Sequence, residues 1–590
     1  MRTLARIALV VVCALSSYAQ QPQFLQQNWS NDDRQWFYTT PQGSKLIPYA
    51  WAMALERAND ETLWIRDLDR FYFLPNVVSS VNPDGLPVGV VRDEQHLGLT
   101  CAACHTNQVE HAGTTYQIDG GPTSADLYAF LADLGESVRA TSRSATSPKF
   151  TRFAQRVLGA NNSAAGRAKL FAELTKYNNY FTTFIRDSTP NVAWGRSRTD
   201  AFGMIFNRVT AIDLKRPENS RKPDAPVSYP FLWDTSWHNK VQWNGSAPNQ
   251  LVVERLARNV GEVLGVFAQV DLRKPTFLHW YYKSTANRLN LIDIEDRLAH
   301  LRAPKWQPAF GAIDQARATR GQAIYNRQCV SCHKIATPGV RQDIVMTPLS
   351  AVRTDDTMAT VAAHRLAHTG VLQGVRKLLL FGPRMKAREA AGTVTFNAVI
   401  GAILSPVTMQ ATDTPRTAAA INANATNNDQ DDPERAELRA RLHEGPPSQE
   451  EATRAMSTDA TATTDAAPDH RTELVTELRA FGARAEREKS DGLDYKARPL
   501  DGIWATAPYL HNGSVPTVYD LLLPPERRPR TFHVGNRQLD TRNVGFVTTQ
   551  APGTFLFDTS IKGNYNSGHL WGTNLEDEQR MDLIEYLKSL

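Results

Sequence analysis

The hydrophobic and polar positions divide the chain into stretches of sharply different character. An apolar run from Ile7 to Leu15 follows Arg2 and Arg6, and Ser17-Tyr18-Ala19 stand before Gln20. A charged region, an apolar region and a small-residue cleavage site in that order predict an export signal over residues 1–19. No other apolar run approaches the eighteen residues that a membrane-crossing helix needs, so no transmembrane segment is expected. Aromatic residues crowd the first half: Trp29, Trp36, Trp51, Trp64, Tyr72 and Phe73, and later Phe231, Trp233, Trp237, Trp243, Trp280, Tyr281 and Tyr282. Such density predicts a well-filled core and permits an apolar ligand pocket.

Two amphipathic helices are legible further on. ARATRGQAIYNRQ, residues 316–328, has helix-forming composition, with Gly321 and Tyr325 one turn apart on one face. The C-terminal EDEQRMDLIEYLKSL carries Leu583, Ile584, Leu587 and Leu590 at helical spacing, acids in its first turn and Lys588 in its last. Between them, residues 397–480 contain no Phe, Tyr, Trp or Cys, and the part from about 410 to 470 is crowded with Ala, Thr, Asn, Asp and Pro. A segment of that composition cannot bury enough apolar surface to order itself. An inserted, largely disordered loop is expected at about 408–470, with a short helix around Glu434 to Leu442 and no function of its own.

At 590 residues the chain is too long for one core, and its formal charge of +5, about +3 without Arg2 and Arg6, is too small to argue for nucleic acid as a partner. Cysteine usage is far more informative. Of five cysteines, Cys13 falls in the export signal, and the other four form Cys101-Ala102-Ala103-Cys104-His105 and Cys329-Val330-Ser331-Cys332-His333. Two thiols at this spacing can form thioethers to the vinyl groups of one haem while the adjacent imidazole ligates its iron. A structural zinc site would want further ligands at matching spacing, and a redox dithiol has no need of the histidine. Two covalently bound haem c groups are therefore expected, with His105 and His333 as iron ligands. No cysteine remains for a disulfide. Haem attachment of this kind takes place outside the bacterial cytoplasm, which agrees with the export signal and predicts a periplasmic or secreted protein.

The sixth ligand of each iron decides the chemistry: a filled position makes an electron-transfer centre, and an open one can bind dioxygen or peroxide. Twelve other histidines compete for that place.

The segment Ala507-Pro508-Tyr509-Leu510-His511-Asn512-Gly513-Ser514-Val515-Pro516, preceded by residues 496–503, resembles the signature that follows the second haem motif in bacterial dihaem cytochrome c peroxidases and their relatives that modify methylamine dehydrogenase. Ala225 to Phe231, followed by Trp243-Asn244-Gly245-Ser246-Ala247, is similar to the stretch that places a tryptophan between the two haems of those enzymes. Export, two haems and Ile118 to Pro122 (IDGGP) resemble the dihaem rubber oxygenases more closely. The likeness spans roughly residues 30–400 and 490–590.

The resemblance implies a mainly α fold of two cytochrome c-like haem lobes with long irregular loops and little β. Residues 20–95 would be an extension packing on the first lobe, 96–305 the first, active-site haem domain, and 306–590 the second, electron-transfer domain. As in cytochrome c, Gly321 and Tyr325 would pack against Tyr586. Trp243 would bridge the haems, and Glu262, near the place of a catalytic glutamate, would shuttle protons. Calcium between the lobes, held by some relatives, is carried as a further candidate cofactor.

Two departures from the peroxidase pattern stand out. Peroxidases ligate the second haem with a methionine about fourteen residues after the histidine of the APYLHNGS-like segment, where this chain has Pro525. His533 and His569 are the downstream candidates, and His569 resembles the distal histidine of the rubber oxygenases. The first haem's usual distal histidine has no counterpart in residues 117–123, and His111 is too close to its motif to loop over the ring. The first iron is therefore expected to be open and reactive, with the second haem as relay.

Three functions follow. The first is an oxygenase that binds dioxygen at the first haem and cleaves an apolar substrate such as polyisoprene, with Phe202, Phe206 and Phe231 as pocket candidates. The second is a peroxidase or peroxide-dependent protein-modifying oxidase using hydrogen peroxide and a small redox protein as electron partner. The third is an electron-transfer cytochrome alone. The oxygenase is placed first, an order to be reversed if Glu262 stands within hydrogen-bonding reach of the first iron's distal site.

Overall fold

Gly321 is where two helices cross. Helix Gln315–Gln328, capped by Asp314 on Arg317 N, meets the terminal helix Asp577–Ser589 so closely that a Cβ on Gly321 would lie 2.0 Å from Asp582 O. Tyr325 packs on Tyr586 with ring centres 5.2 Å apart, and Arg320 grips Asp582 through Nε and Nη2 at 2.7 and 2.8 Å. The glycine and both tyrosines meet as the sequence predicts.

The computed structural model describes residues 21–276, 280–379, 381–405, 433–443, 470–487 and 493–590. The fold is mainly α with some β. Its strands are short and pair in twos and threes, the longest ladder joining Thr106–His111 to Thr114–Asp119, with Gln23–Phe24 added in parallel. No described helix is long and apolar enough to cross a membrane.

Three apolar clusters carry the packing. The aromatic crowd of the first half surrounds helices Leu127–Thr141, Pro148–Leu158 and Ala164–Ser188, which start at Asp126, Ser147 and Ser163 caps and bury Phe130, Phe153 and Phe181 against Trp51, Trp64 and Trp194. A second cluster belongs to both motif regions. Trp29, Phe37 and Tyr38 near the N-terminus share it with Trp233, Leu298, Tyr325, Trp504 and Tyr586. The early residues thus share a core with both motif regions, and Asp119, fully buried, accepts hydrogen bonds from Arg34 and Tyr38 and ties the start of the chain to the hairpin after the first motif.

The third cluster includes the short helix expected around Glu434 to Leu442 and a further helix that the sequence reading did not foresee. Pro433–His443 and His470–Arg487 are both helices, and Leu438, Leu442, Leu474, Val475, Leu478 and Phe481 pack onto Val252–Gly265 and Arg288–His300 from the first haem region. Arg441 reaches Glu473 and Glu477 at 2.8 Å each, and Arg484 pairs with Glu254. Leucines one turn apart make an apolar stripe, which the average composition of the segment hides. The expected loop at 406–432 and 444–469 lies outside the described residues.

Candidate haem sites

The first motif is a single helical turn, Cys101–Cys104, which puts both thiols on one face. Gly89 lies directly behind it, where a Cβ would come within 2.0 Å of Ala103 N. Gln42 Oε1 accepts from Cys101 N at 3.1 Å, joining the turn to the N-terminal stretch. His105 Nδ1 lies 2.8 Å from Pro230 O. A carbonyl can only accept, so Nδ1 carries the proton and Nε2 is free for a metal. Burial pushes the His105 pKa down to about 4, so the ring is neutral at physiological pH, as an iron ligand must be.

Beside His105 opens a small, partly open cleft. Cys101 and His105 form one end. The walls bring Phe231, Val241, Gln242, Ile294 and Leu298 together with Arg258, Asn259, Glu262, Glu295 and Lys496, and His105 is the one histidine in the lining. Glu262 comes from helix Val252–Gly265 and accepts a hydrogen bond from Gln242 Nε2 at 2.8 Å. Burial pushes its carboxyl up, against the pull of Arg258. Arg258 is held in turn by Glu295, which also accepts from Asn259 at 2.9 Å and Ser236 at 3.0 Å.

Positive charge is left over at this cleft. Lys496 is buried and Arg498 half-buried, neither forms an ion pair among the described residues, and Arg498 Nη1, itself enclosed, has no hydrogen-bond partner. Burial, with Arg498 and Arg258 near by, pushes Lys496 down to about 7. His238 is 1% exposed with neither ring nitrogen bonded. Unpaired buried cations are costly, and the two propionate carboxylates of a haem are the charge that this site lacks. The residues fit the group.

At the second motif, His333 N donates to Cys329 O at 2.8 Å, Tyr325 Oη donates to His333 O, and His333 Nδ1 donates to Arg498 O at 2.8 Å, leaving Nε2 free. Facing it is His569, with ring centres 6.2 Å apart. A metal–imidazole bond of about 2 Å puts each ring centre about 3 Å from a shared metal, so two trans imidazoles have centres about 6 Å apart. The pair has the separation of two ligands to one iron.

The loop that presents His569 is tightly specified. Gly568, at φ +74°, passes so close to the backbone that a Cβ would lie 2.3 Å from Val352 O, and His569 N donates to that same oxygen at 2.8 Å. Arg528 donates to the carbonyls of Gly568 and His569 at 2.9 and 3.1 Å, and to that of Leu523 at 3.0 Å. Asp355 accepts from Gly563 N at 3.0 Å. The other candidates are engaged elsewhere: His533 bonds Thr554 Oγ1 at 3.1 Å, and His511 stacks on Tyr495.

Trp243 is linked to residues of both sites. Its neighbour Gln242 reaches Glu262 in the first cleft, and its ring packs in a cluster with Val352, which anchors the His569 loop. Nε1 donates to Ser228 O at 2.9 Å, and Lys496 N donates to Trp243 O at 2.9 Å. Phe231 lines the cleft, but Trp233 stacks on it at 4.5 Å and the Arg498 guanidinium lies 4.4 Å from its ring centre. Phe202 and Phe206 are not brought to the cleft; they touch each other and pack in neighbouring clusters with Trp243 and with Ala391. Among the described residues no group of three or more His, Cys, Asp or Glu is arranged to hold a metal ion, calcium included.

Sequence reasoning missed Gln242, Arg258, Lys496, Arg498 and Arg528. Lys496 and Arg498 fall in the segment preceding the family-like signature, but nothing local marks them as buried. Arg528 sits in the run Arg527-Arg528-Pro529-Arg530, which reads as solvent-facing charge.

A family described as RoxA-like, cytochrome c-like matches residues 494–533, and one described as cytochrome C oxidase, cbb3-type, subunit III matches residues 316–396. The chain is similar to "Uncharacterized protein y4iJ" of Sinorhizobium fredii (strain NBRC 101917 / NGR234), 30% identical over 637 aligned positions that cover 96% of this chain and 93% of that protein. It is also similar to "Uncharacterized protein y4iM" of the same organism, 38% identical over 117 residues, 16% of this chain and 27% of that one.

Proposed function

This chain belongs to a dihaem cytochrome c family related to the RoxA-like branch, and from that premise we propose that it is an exported oxidoreductase with two unequal haem sites. The first, at Cys101, Cys104 and His105, is the reactive centre. The second, between His333 and His569, relays electrons from a small redox protein. As a haem c protein it has an electron-transfer or oxidoreductase role; peroxide chemistry is the finer reading advanced here.

The observation that carries this reading is Glu262 in the same cleft as Cys101 and His105. On that support peroxide chemistry is placed ahead of the oxygenase that the sequence put first. Haem bound there supplies an iron at which the O–O bond of a peroxide can be cleaved. Cleavage needs one proton moved from the oxygen nearer the metal to the departing one. Glu262 is suited to that work: Gln242 fixes one carboxyl oxygen, leaving the other to take and return the proton, and burial raises its proton affinity. Arg258, clamped by Glu295, orients charge toward the same space. Val241, Ile294 and Leu298 limit water.

The rubber oxygenase reading keeps a specific support, the RoxA-like match at residues 494–533. Against it, the cleft walls are rich in charge, and both Trp233 and Arg498 cover Phe231, leaving little aromatic surface for a hydrocarbon. The deciding experiment incubates purified holoprotein with hydrogen peroxide and a reduced donor, and separately with polyisoprene latex in air. Peroxide-dependent donor oxidation that E262Q lowers is expected. Carbonyl-ended fragments from latex without peroxide, undiminished in E262Q, would overturn the reading.

A further inference from the structure

One residue lays its side chain on two aromatic rings and is bonded through its carbonyl to one of the two proximal histidines. The Arg498 guanidinium carbon is 4.4 Å from the ring centre of Phe231 and 4.6 Å from that of Trp243. Phe231 directly follows Pro230, whose carbonyl accepts the His105 Nδ1 proton at 2.8 Å. The carbonyl of Arg498 itself accepts the His333 Nδ1 proton, also at 2.8 Å. From imidazole to imidazole there is thus a path of covalent and hydrogen bonds broken by one step of ring-to-cation contact. Two residues earlier, Lys496 N donates to Trp243 O, so the tripeptide 496–498 holds the backbone of the tryptophan, the faces of both rings and the second proximal ligand.

We propose that Arg498 is a positioning residue for electron transfer: it joins the two proximal histidines through Pro230 and Phe231, and its cation on the Trp243 face keeps that tryptophan from becoming oxidised. The proposal rests on the two-haem reading above and adds how the sites communicate. A cation is attracted to the negative face of an aromatic ring. Removing one electron makes the ring a radical cation, and the attraction turns to repulsion between like charges in a buried place where screening is weak. Trp243 then serves as a medium for electrons without holding a radical, and the Phe231–Arg498 link shares the traffic. Packing does not account for the residue, since a guanidinium without a protein counter-ion costs stability where Leu or Met would not. A propionate near Nη1 would balance its charge and leave the guanidinium on the rings.

In electron terms, one electron leaves the Trp243 side for the first site and one arrives from the second; no bond at the indole changes. The oxidant is a peroxide, whose cleavage consumes two electrons and two protons and yields two molecules of water or the corresponding alcohol and water.

The test uses holoprotein treated with one equivalent of hydrogen peroxide, frozen and read by electron paramagnetic resonance. The wild type is expected to show little or no indole radical. R498L should raise that signal about tenfold or more, R498K should restore the wild-type level because charge rather than shape is at work, and R498L/W243F should lose it. Electron redistribution between the haems, followed after photolysis of carbon monoxide from the half-reduced protein, should slow about tenfold in R498L, since the cation contact with Phe231 is lost. The carbonyl that holds His333 remains in every variant, and haem content and visible spectra, measured on each, separate loss of the ring contact from loss of a propionate partner. A strong indole radical in the wild type that W243F removes overturns the proposal even if R498L cannot be loaded. So does an R498L protein with unchanged signal and rate. A single haem per chain, found by haem analysis beforehand, would instead bring down the two-haem reading itself.

Discussion

The imidazoles of His333 and His569 face each other with ring centres 6.2 Å apart and planes inclined at 52°. Each is fixed from behind by backbone: His333 through Nδ1 on Arg498 O, and His569 through its own amide on Val352 O. Burial pushes the pKa of both rings down, that of His569 to about 3.

Replacing His569 by Ala should convert the second site from six-coordinate to five-coordinate while leaving haem attached through Cys329 and Cys332. About half of the total haem should then pass from low-spin to high-spin in electron paramagnetic resonance and visible spectra. An unchanged low-spin fraction would show that another side chain fills the position.

Arg528 should matter to the second site without touching it. Its fork binds carbonyls at Leu521, Leu523, Asn566, Gly568 and His569, and all are left short of a donor if it is removed. R528L is expected to lose about 3 kcal/mol of stability and to give a mixed-spin second haem, and R528K should recover only part, because an ammonium cannot reproduce the planar fork. Denaturant unfolding and spin-state spectra check both halves.

E262Q keeps the shape and the Gln242 contact but cannot exchange a proton. Peroxide turnover should fall about a hundredfold in kcat with haem content and KM for the donor little changed. Stopped-flow mixing with peroxide under excess donor separates this from a simple loss of haem.

Acid sensitivity should concentrate at Glu56. Burial pushes its carboxyl up, but hydrogen bonds from Arg152, Arg156 and Lys149 outweigh that and hold it down at about 2, against the usual 4.5. A depressed carboxylate stabilises the fold above its unfolded value, and that contribution is lost as pH falls from about 4.5 toward 2. Glu56 ties the turn after Tyr49–Ala54 to helix Pro148–Leu158. E56Q should therefore cost about 3 kcal/mol at pH 7 and flatten the loss between pH 4.5 and 2. Parallel urea titrations at pH 7 and pH 3 measure the difference; an equal cost at both would remove Glu56 as its source.

The helices bordering the second motif were legible because their determinants are local. The stripe Leu583, Ile584, Leu587 and the small Gly321 opposite Tyr325 are properties of a few neighbouring turns. Helices Pro433–His443 and His470–Arg487 were legible only in part. Their leucines lie in a polar, alanine-rich stretch, and what orders them is a surface supplied by Val252–Gly265 and Arg288–His300, more than a hundred residues away in sequence.

The spacing of Cys101, Cys104 and His105, and of Cys329, Cys332 and His333, was enough by itself to predict haem attachment and both proximal ligands, since thioether and iron bonds to one macrocycle can be made by residues within a single turn. Resemblance already pointed to Glu262 and to His569 over His533; tertiary structure alone decided that Gln242 holds Glu262, that Arg528 holds the His569 loop and that Arg498 lies on Phe231 and Trp243. Those relationships join segments tens to hundreds of residues apart, and they are set by which buried surfaces and charges can satisfy one another once the chain has folded.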